Sequence, residues 1–324
     1  MVHLLTAAMG PRKRLATAGL LLGLCAAGCQ ASGGAGPAEP PSRPFGGVTY
    51  FNAQQRALLH TAEEQFVAQC MRSRGFDYGP QPLASGSHVL DANPYGLLTP
   101  TQAKTDGFGL TSSALNEATA GQADRNVKDA SVPGWHTALL GSTSHRVYVP
   151  LPAHQEYYYN TDSCVSRAEI QLYGADYERL YNTFQVLTNE VVLEVRKDNR
   201  YLSAQDAWRE CMRSAGSPEQ ALDSPPQTIN SELAGIENNS AIPRRLIGRE
   251  LSLAKTDADC QQKIGIGHTV SAVQADVERT VLQGRTNQLS ALQRLRAGAL
   301  AAAAFPASPD AGGSPSPTAP SRPR

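Results

Sequence analysis

Two six-residue elements, Cys70-Met-Arg-Ser-Arg-Gly75 and Cys211-Met-Arg-Ser-Ala-Gly216, agree at five of their six positions. Each follows a helical stretch and precedes a turn. A weaker echo lies downstream of each: Thr161-Asp162-Ser-Cys164 answers Thr256-Asp257-Ala-Asp-Cys260, with one residue inserted. A chain patterned this way is expected to fold as two related halves, each holding one cysteine of either kind.

Four cysteines permit three pairings. The repeat selects Cys70–Cys164 and Cys211–Cys260, one bridge per half. The loops they close are long, so loop-closure entropy assigns each bridge about 4–5 kcal/mol. A metal site would need close ligand pairs such as C-x-x-C. These cysteines stand tens of residues apart, so no metal and no cofactor is expected. Disulfides persist outside the reducing cytosol.

The N-terminus supplies a matching address. Arg12-Lys13-Arg14 is a positive flank, and Leu15–Leu24 is an apolar run of about ten residues. A membrane-spanning helix takes about 20, so the run reads as an export signal. It leads into Ala26-Ala27-Gly28-Cys29, which resembles a lipobox with alanine where leucine is usual. Residues 1–28 are expected to be removed and Cys29 to carry the lipid. Two acyl chains hold a protein at a membrane where one is marginal. An ordinary secretory signal cut near Ala31 is the alternative, and Met9 is an alternative start. Residues 29–46, rich in Gly, Pro and Ala, read as a flexible tether, and residues 306–324 as a disordered tail.

Residues 1–28 hold Arg12, Lys13 and Arg14 and no acid, so the remaining chain carries 26 basic and 29 acidic groups. That balance offers no clustered basic surface for nucleic acid. The hydrophobic fraction, 41%, is ample for a core.

Between the tether and the tail, residues 47–305 read as mainly helical. Asn52 and Gln55 form a capping box, and Leu58, Ala62, Phe66 and Cys70 recur on one helix face. Thr99-Pro100-Thr-Gln102 opens a short helix that Gly107 ends, and another spans Trp135–Leu140. Arg146–Leu151 and Glu156–Asn160 read as a β-hairpin. Tyr177, Tyr181, Phe184, Leu187, Val191 and Val195 form the cleanest apolar stripe. Ser203 and Asp206 resemble a capping box for the helix carrying Trp208 and Cys211. On a helix from Pro243 to Lys263, Leu246, Leu253 and Cys260 share a face. One long helix is expected over 269–304. The expected fold is mainly α: a disulfide-stapled helical domain of two related halves, about 50–174 and 200–265, with one small β-hairpin.

No catalytic signature stands in the chain: no G-x-S-x-G, H-E-x-x-H, P-loop, G-x-G-x-x-G or EF-hand loop. Ser252-Leu-Ala-Lys255 matches S-x-x-K, and Tyr158-Tyr-Asn160 mimics its usual companion. Their order is wrong, however, and a K-T-G strand is absent. His60, His88, His136, His145, His154 and His268 have no partner at ligand spacing. Asp257 and Asp259 read as solvated acids beside Cys260, Trp135 and Trp208 as core anchors, and Arg72 and Arg213 as cations suited to helix C-termini. Tyr157–Tyr159 read as packing against helices, with stacking on a sugar or peptide as the alternative.

Three elements in order, Cys70 to Phe76, Pro133-Gly-Trp135-His-Thr-Ala138-Leu139-Leu-Gly141 and Asp162 to Gly174, are joined by a second Trp-x-x-Cys-Met element from Trp208 to Gly216. Together they resemble uncharacterised actinobacterial exported lipoproteins. The resemblance implies an accessory role beside an envelope transporter or a cell-wall protein and transfers no catalytic residue. The expectation is a lipid-anchored, extracytoplasmic, non-enzymatic accessory or binding protein. An envelope hydrolase and a small-ligand-binding subunit are the alternatives.

Overall fold

Asn52 opens the first helix as its sequence predicts. In the computed structural model its side chain accepts the Gln55 amide at 2.8 Å, and the Gln55 side chain accepts the Asn52 amide at 3.2 Å. The structure describes residues 42–83, 93–119, 126–236 and 241–304. Residues 1–28, Cys29, the tether to residue 41, His88 and the tail from residue 305 lie outside that set.

The described residues form α1 (Ala53–Ser73), α2 (Pro100–Thr105), α3 (Leu110–Thr119), α4 (Trp135–Leu140), β1 (Arg146–Pro150) and β2 (Glu156–Asn160). Then follow α5 (Cys164–Tyr173), α6 (Tyr177–Lys197), α7 (Asn199–Ser214), α8 (Ser224–Ala234), α9 (Arg244–Ile264), α10 (Ile266–Val281) and α11 (Thr286–Ala304). The chain is thus mainly helical with one two-stranded antiparallel hairpin, in which Tyr148 faces Tyr158 and Val147 faces Tyr159.

The two bridges close as the repeat predicts. Cys70–Cys164 joins α1 to α5 and spans 94 residues; Cys211–Cys260 joins α7 to α9 and spans 49. The repeated element has the same local structure twice. Gly75 and Gly216 lie at φ of 80° and 79°, past the ends of α1 and α7. In each copy the glycine amide reaches the arginine carbonyl, and the next amide reaches the methionine carbonyl. This is a Schellman ending, which demands a left-handed residue and so favours glycine. Met71 and Met212 are both fully buried. The second echo is not structurally equivalent: Cys164 begins α5, whereas Cys260 sits in the last turns of α9.

The halves also share their packing. The largest core spans α6, α7, α9 and α10, and it includes Tyr95, Leu97, Ala103, Phe108 and Leu110 from the first half of the chain. A smaller cluster around the first bridge holds Val67, Met71, Trp135, Ala138 and Ala168. A third joins α1, α5 and α11 through Leu59, Leu172 and Ala299.

Several expectations are corrected. The buried face of α1 centres on Leu59, Ala62, Val67 and Met71, one position round from Leu58 and Phe66. Asp198 rather than Ser203 caps α7, accepting the Arg200 amide at 2.8 Å. The long C-terminal helix is two helices: Gly284, at φ of 72°, turns the chain between α10 and α11. Helices α3 and α8 form where no helix was expected; Pro225 and Pro226 sit in the first turn of α8, where proline is tolerated. The folded body also begins inside the expected tether. Phe45 is buried, its amide donates to Glu278 at 2.9 Å, and its ring meets Phe184 edge-on at 5.3 Å.

Candidate functional site

The second bridge lies beside a buried acid. Trp208 and Asp257 each stand three residues before a bridged cysteine, one helical turn away. Asp257 is fully buried, contrary to its expected solvation; Asp259 is exposed and pairs with Lys255. The Trp208 Nε1–H and the Gln261 amide donate to Asp257 Oδ1 at 2.8 and 2.9 Å. Gln261 also donates to the Gly96 carbonyl and accepts the Leu98 amide, both at 2.9 Å, and so ties the 93–98 segment to α9. Asp257 Oδ2 has no protein partner. Burial pushes the Asp257 carboxyl up to about 7, against the pull of those two hydrogen bonds. A protonated acid at this place avoids an unpaired charge in the core.

A second buried acid, Glu250, organises backbone. It stands two turns before Asp257 on the same face of α9 and is 1% exposed. Its carboxylate accepts the amides of Phe108, Leu110 and Thr111 at 3.1, 2.8 and 2.9 Å, and the Thr111 hydroxyl. Leu110 and Thr111 supply free donors of the first turn of α3, and Phe108 one from the turn before it, all met by an acceptor from another helix. Charge and helix dipole are aligned favourably. Gly107 makes the approach possible: a Cβ there would stand 2.9 Å from the Glu250 side chain.

A third set of acids lies where α1, α5 and α6 meet. Glu63, Glu169 and Glu178 come from the three helices in turn and are partly buried. Burial pushes the Glu63 carboxyl up to about 7; the charges of Glu178 and Glu64 add to this, and a Tyr173 hydrogen bond opposes it. Burial, then the charges of Glu178 and Glu63, also raise Glu169. Burial raises Glu178, and the Asn182 amide donating at 3.2 Å holds it back. Tyrosines surround the acids. Tyr173, Tyr177 and Tyr181 stack in sequence at 4.4 and 5.6 Å. Tyr157, from the hairpin, lies within electrostatic reach of Glu178 and Glu169.

The hairpin is fastened at its base. Asp162 accepts the Ser142 amide at 3.0 Å and the Ser142 hydroxyl at 2.8 Å, and lies 3.3 Å from His145. Asn160 donates to the Leu140 carbonyl at 2.7 Å. Its turn, Pro152–His154, packs on α6. Tyr157 and Tyr159 are half-buried and stack on each other at 6.3 Å. Tyr148 and Tyr158 are 56% and 46% exposed, 5.8 Å apart, with Arg146 over the Tyr158 ring. This outward face was not singled out in the sequence beyond the tyrosine run itself.

The remaining candidates are dispersed. Trp135 and Trp208 are both buried, as expected of core anchors. Ser252 and Lys255 lie on the solvent face of α9, on a different element from Tyr158 and Asn160. Arg213 pairs with Glu210 on an exposed surface. His60 and Glu64 border a groove of about 270 Å³. There His60 Nε2 contacts the Gln81 carbonyl at 2.8 Å, and Glu64 accepts Tyr78 and the Gln81 amide, so both hold the 78–81 segment. Among the described residues no group of three or more His, Cys, Asp or Glu is placed to hold a metal ion. Among those residues no helix is long and apolar enough to cross a membrane. No family model, curated protein or solved structure matches the chain.

Proposed function

We propose that the chain is an exported lipoprotein, held by lipid on Cys29 to the outer face of the cell membrane, where it binds a protein partner without catalysing a reaction. The observation that carries this reading is the pair of closed bridges, Cys70–Cys164 and Cys211–Cys260, in a chain that begins with a signal-like segment ending at Cys29. Such bridges suit an oxidising compartment. The exposed aromatic face of the hairpin suits protein contact, since tyrosine is enriched at interfaces. An envelope transporter or a cell-wall protein is the class of partner the reading favours.

Crosslinking in living cells followed by affinity recovery tests it, with Cys29→Ala as the unanchored control. A specific membrane or cell-wall protein recovered with the native chain and lost in the control is the expected result. Turnover of a cell-wall or peptide substrate by purified protein, abolished by one substitution, contradicts the non-enzymatic reading.

A further inference from the structure

The register of the hairpin decides which backbone groups face out. In an antiparallel pair, residues that bond across the ladder alternate with residues whose amide and carbonyl point away. The Leu151 amide donates to the Gln155 carbonyl at 2.8 Å at the turn, and the Thr161 amide to the His145 carbonyl at 3.0 Å at the base. With the pairing of Tyr148 and Tyr158, these bonds turn His145, Val147, Val149 and Leu151 inward. Arg146 and Tyr148 each direct an amide and a carbonyl outward from β1, and Pro150 a carbonyl alone. No hydrogen bond from another described residue reaches these outward groups. Thr143, Ser144, His145, Val147, Tyr148 and Pro150 are exposed, so this edge is open to solvent. The β2 edge is closed at one end, where the Asn160 carbonyl accepts the Ser163 amide at 3.1 Å.

The geometry points to a second copy of this chain as the occupant of the β1 edge: two hairpins pair antiparallel about a two-fold axis at Tyr148 and make one four-stranded sheet.

The edge is complementary to itself, as such an axis requires. Tyr148 meets Tyr148 of the second copy, Val147 meets its Val149, and Arg146 meets its Pro150. Aromatic and β-branched residues are favourable cross-strand neighbours. Charge agrees. Glu156 stands opposite Pro150 within the hairpin, so each Arg146 faces Glu156 of the second copy across one strand, about 10 Å at the backbone. Among the described residues no acid pairs with Arg146, which lies 4.0 Å from the Tyr158 ring centre. A parallel pairing would set Arg146 against Arg146. Across the axis the two Tyr148 residues exchange both their bonds, and each Arg146 amide reaches the facing Pro150 carbonyl. Pro150 has no amide to give, which ends the ladder at each turn. Two strands alone are marginal, and a sheet of more strands is not. Pairing also sets Tyr148 and Tyr158 of both copies in one row, which widens the exposed aromatic face.

Single cysteines placed in the full chain in its membrane, then oxidised and resolved without reductant, read the register. Tyr148→Cys is expected to give mostly covalent dimer, because bonded partners stand about 5.5 Å apart at Cα, within disulfide reach. Val147→Cys is expected to give about tenfold less, because the two copies of residue 147 are offset along the strands and lie about 8 Å apart. The same pattern is expected in the purified Cys29→Ala chain, so a failure of the anchor leaves this test standing. In sedimentation, Tyr148→Lys is expected to raise the dimer dissociation constant about tenfold, since it replaces an aromatic pair by facing like charges. Equal cross-linking at 147 and 148 overturns the inference, as does a native chain that sediments as a monomer at every concentration. So does a Tyr148→Cys chain that stays single or couples only to a chain of different mass.

Discussion

Replacing Cys211 and Cys260 together by alanine is expected to lower unfolding stability by about 4 kcal/mol, and the Cys70/Cys164 pair by nearly 5. The cause lies mainly in the unfolded chain. Each bridge forbids the extended conformations of a long loop, and the longer loop, 94 against 49 residues, gives the larger loss. The native side of the balance changes little, because alanine fills most of the space of a half-cystine and leaves helix propensity intact. A typical domain has 5–15 kcal/mol in total, so removing both pairs is expected to leave little or no folded protein at 37 °C. Urea unfolding of each pair variant measures this through the midpoint, with the slope recording the expansion of the unfolded state. A loss below about 1 kcal/mol for either pair contradicts a stapling role for that bridge.

Glu250→Ala is expected to cost about 3–5 kcal/mol, a large effect for one substitution. The side chain is a single acceptor for four donors around the start of α3. Removing it strands the amides of Phe108, Leu110 and Thr111 in a buried place, each costing about 1–3 kcal/mol unless water enters. Glu250→Gln separates charge from shape. Its carbonyl can still accept from one side, but its amide group points donors at donors, so a loss of about 1–3 kcal/mol is expected. Thermal unfolding ranks the two variants. Hydrogen exchange adds the location, with α3 losing protection first. Equal stability of native and alanine forms contradicts the role of Glu250 as a distant helix cap.

Both buried acids of α9 escaped the sequence for the same reason. Leu246, Glu250, Leu253, Asp257 and Cys260 occupy one continuous face, so the periodicity was present. Asp257 read as solvated and Glu250 was not singled out, because a buried carboxylate needs donors. Apart from Gln261, one turn on from Asp257, those donors come from residues 108–111 and from Trp208, too distant in sequence for any local pattern to announce. Glu63, Glu169 and Glu178 were hidden similarly: they lie on three helices, α1, α5 and α6, that meet only through packing.

Local chemistry, by contrast, was legible. The Asn52 cap, the Thr99-Pro100 start and the glycine endings at Gly75 and Gly216 depend on a few neighbouring residues. The bridge pairing was legible through the repeat, although the second echo turned out to mark different helix ends. The break between α10 and α11 was not, because the apolar residues from Leu289 on resume at helical spacing and a single glycine, though a poor helix residue, does not by itself end a helix. Only the left-handed Gly284 and the return of α11 onto α1, α5 and α6 decide the turn.

The central claim is the address, and the mass of the mature N-terminal peptide from the membrane fraction tests it most directly. A peptide beginning at Cys29 and carrying a diacylglyceryl group, with Cys29→Ala released from the membrane, is the predicted result. An unmodified N-terminus near Ala31 on a freely secreted chain would contradict it.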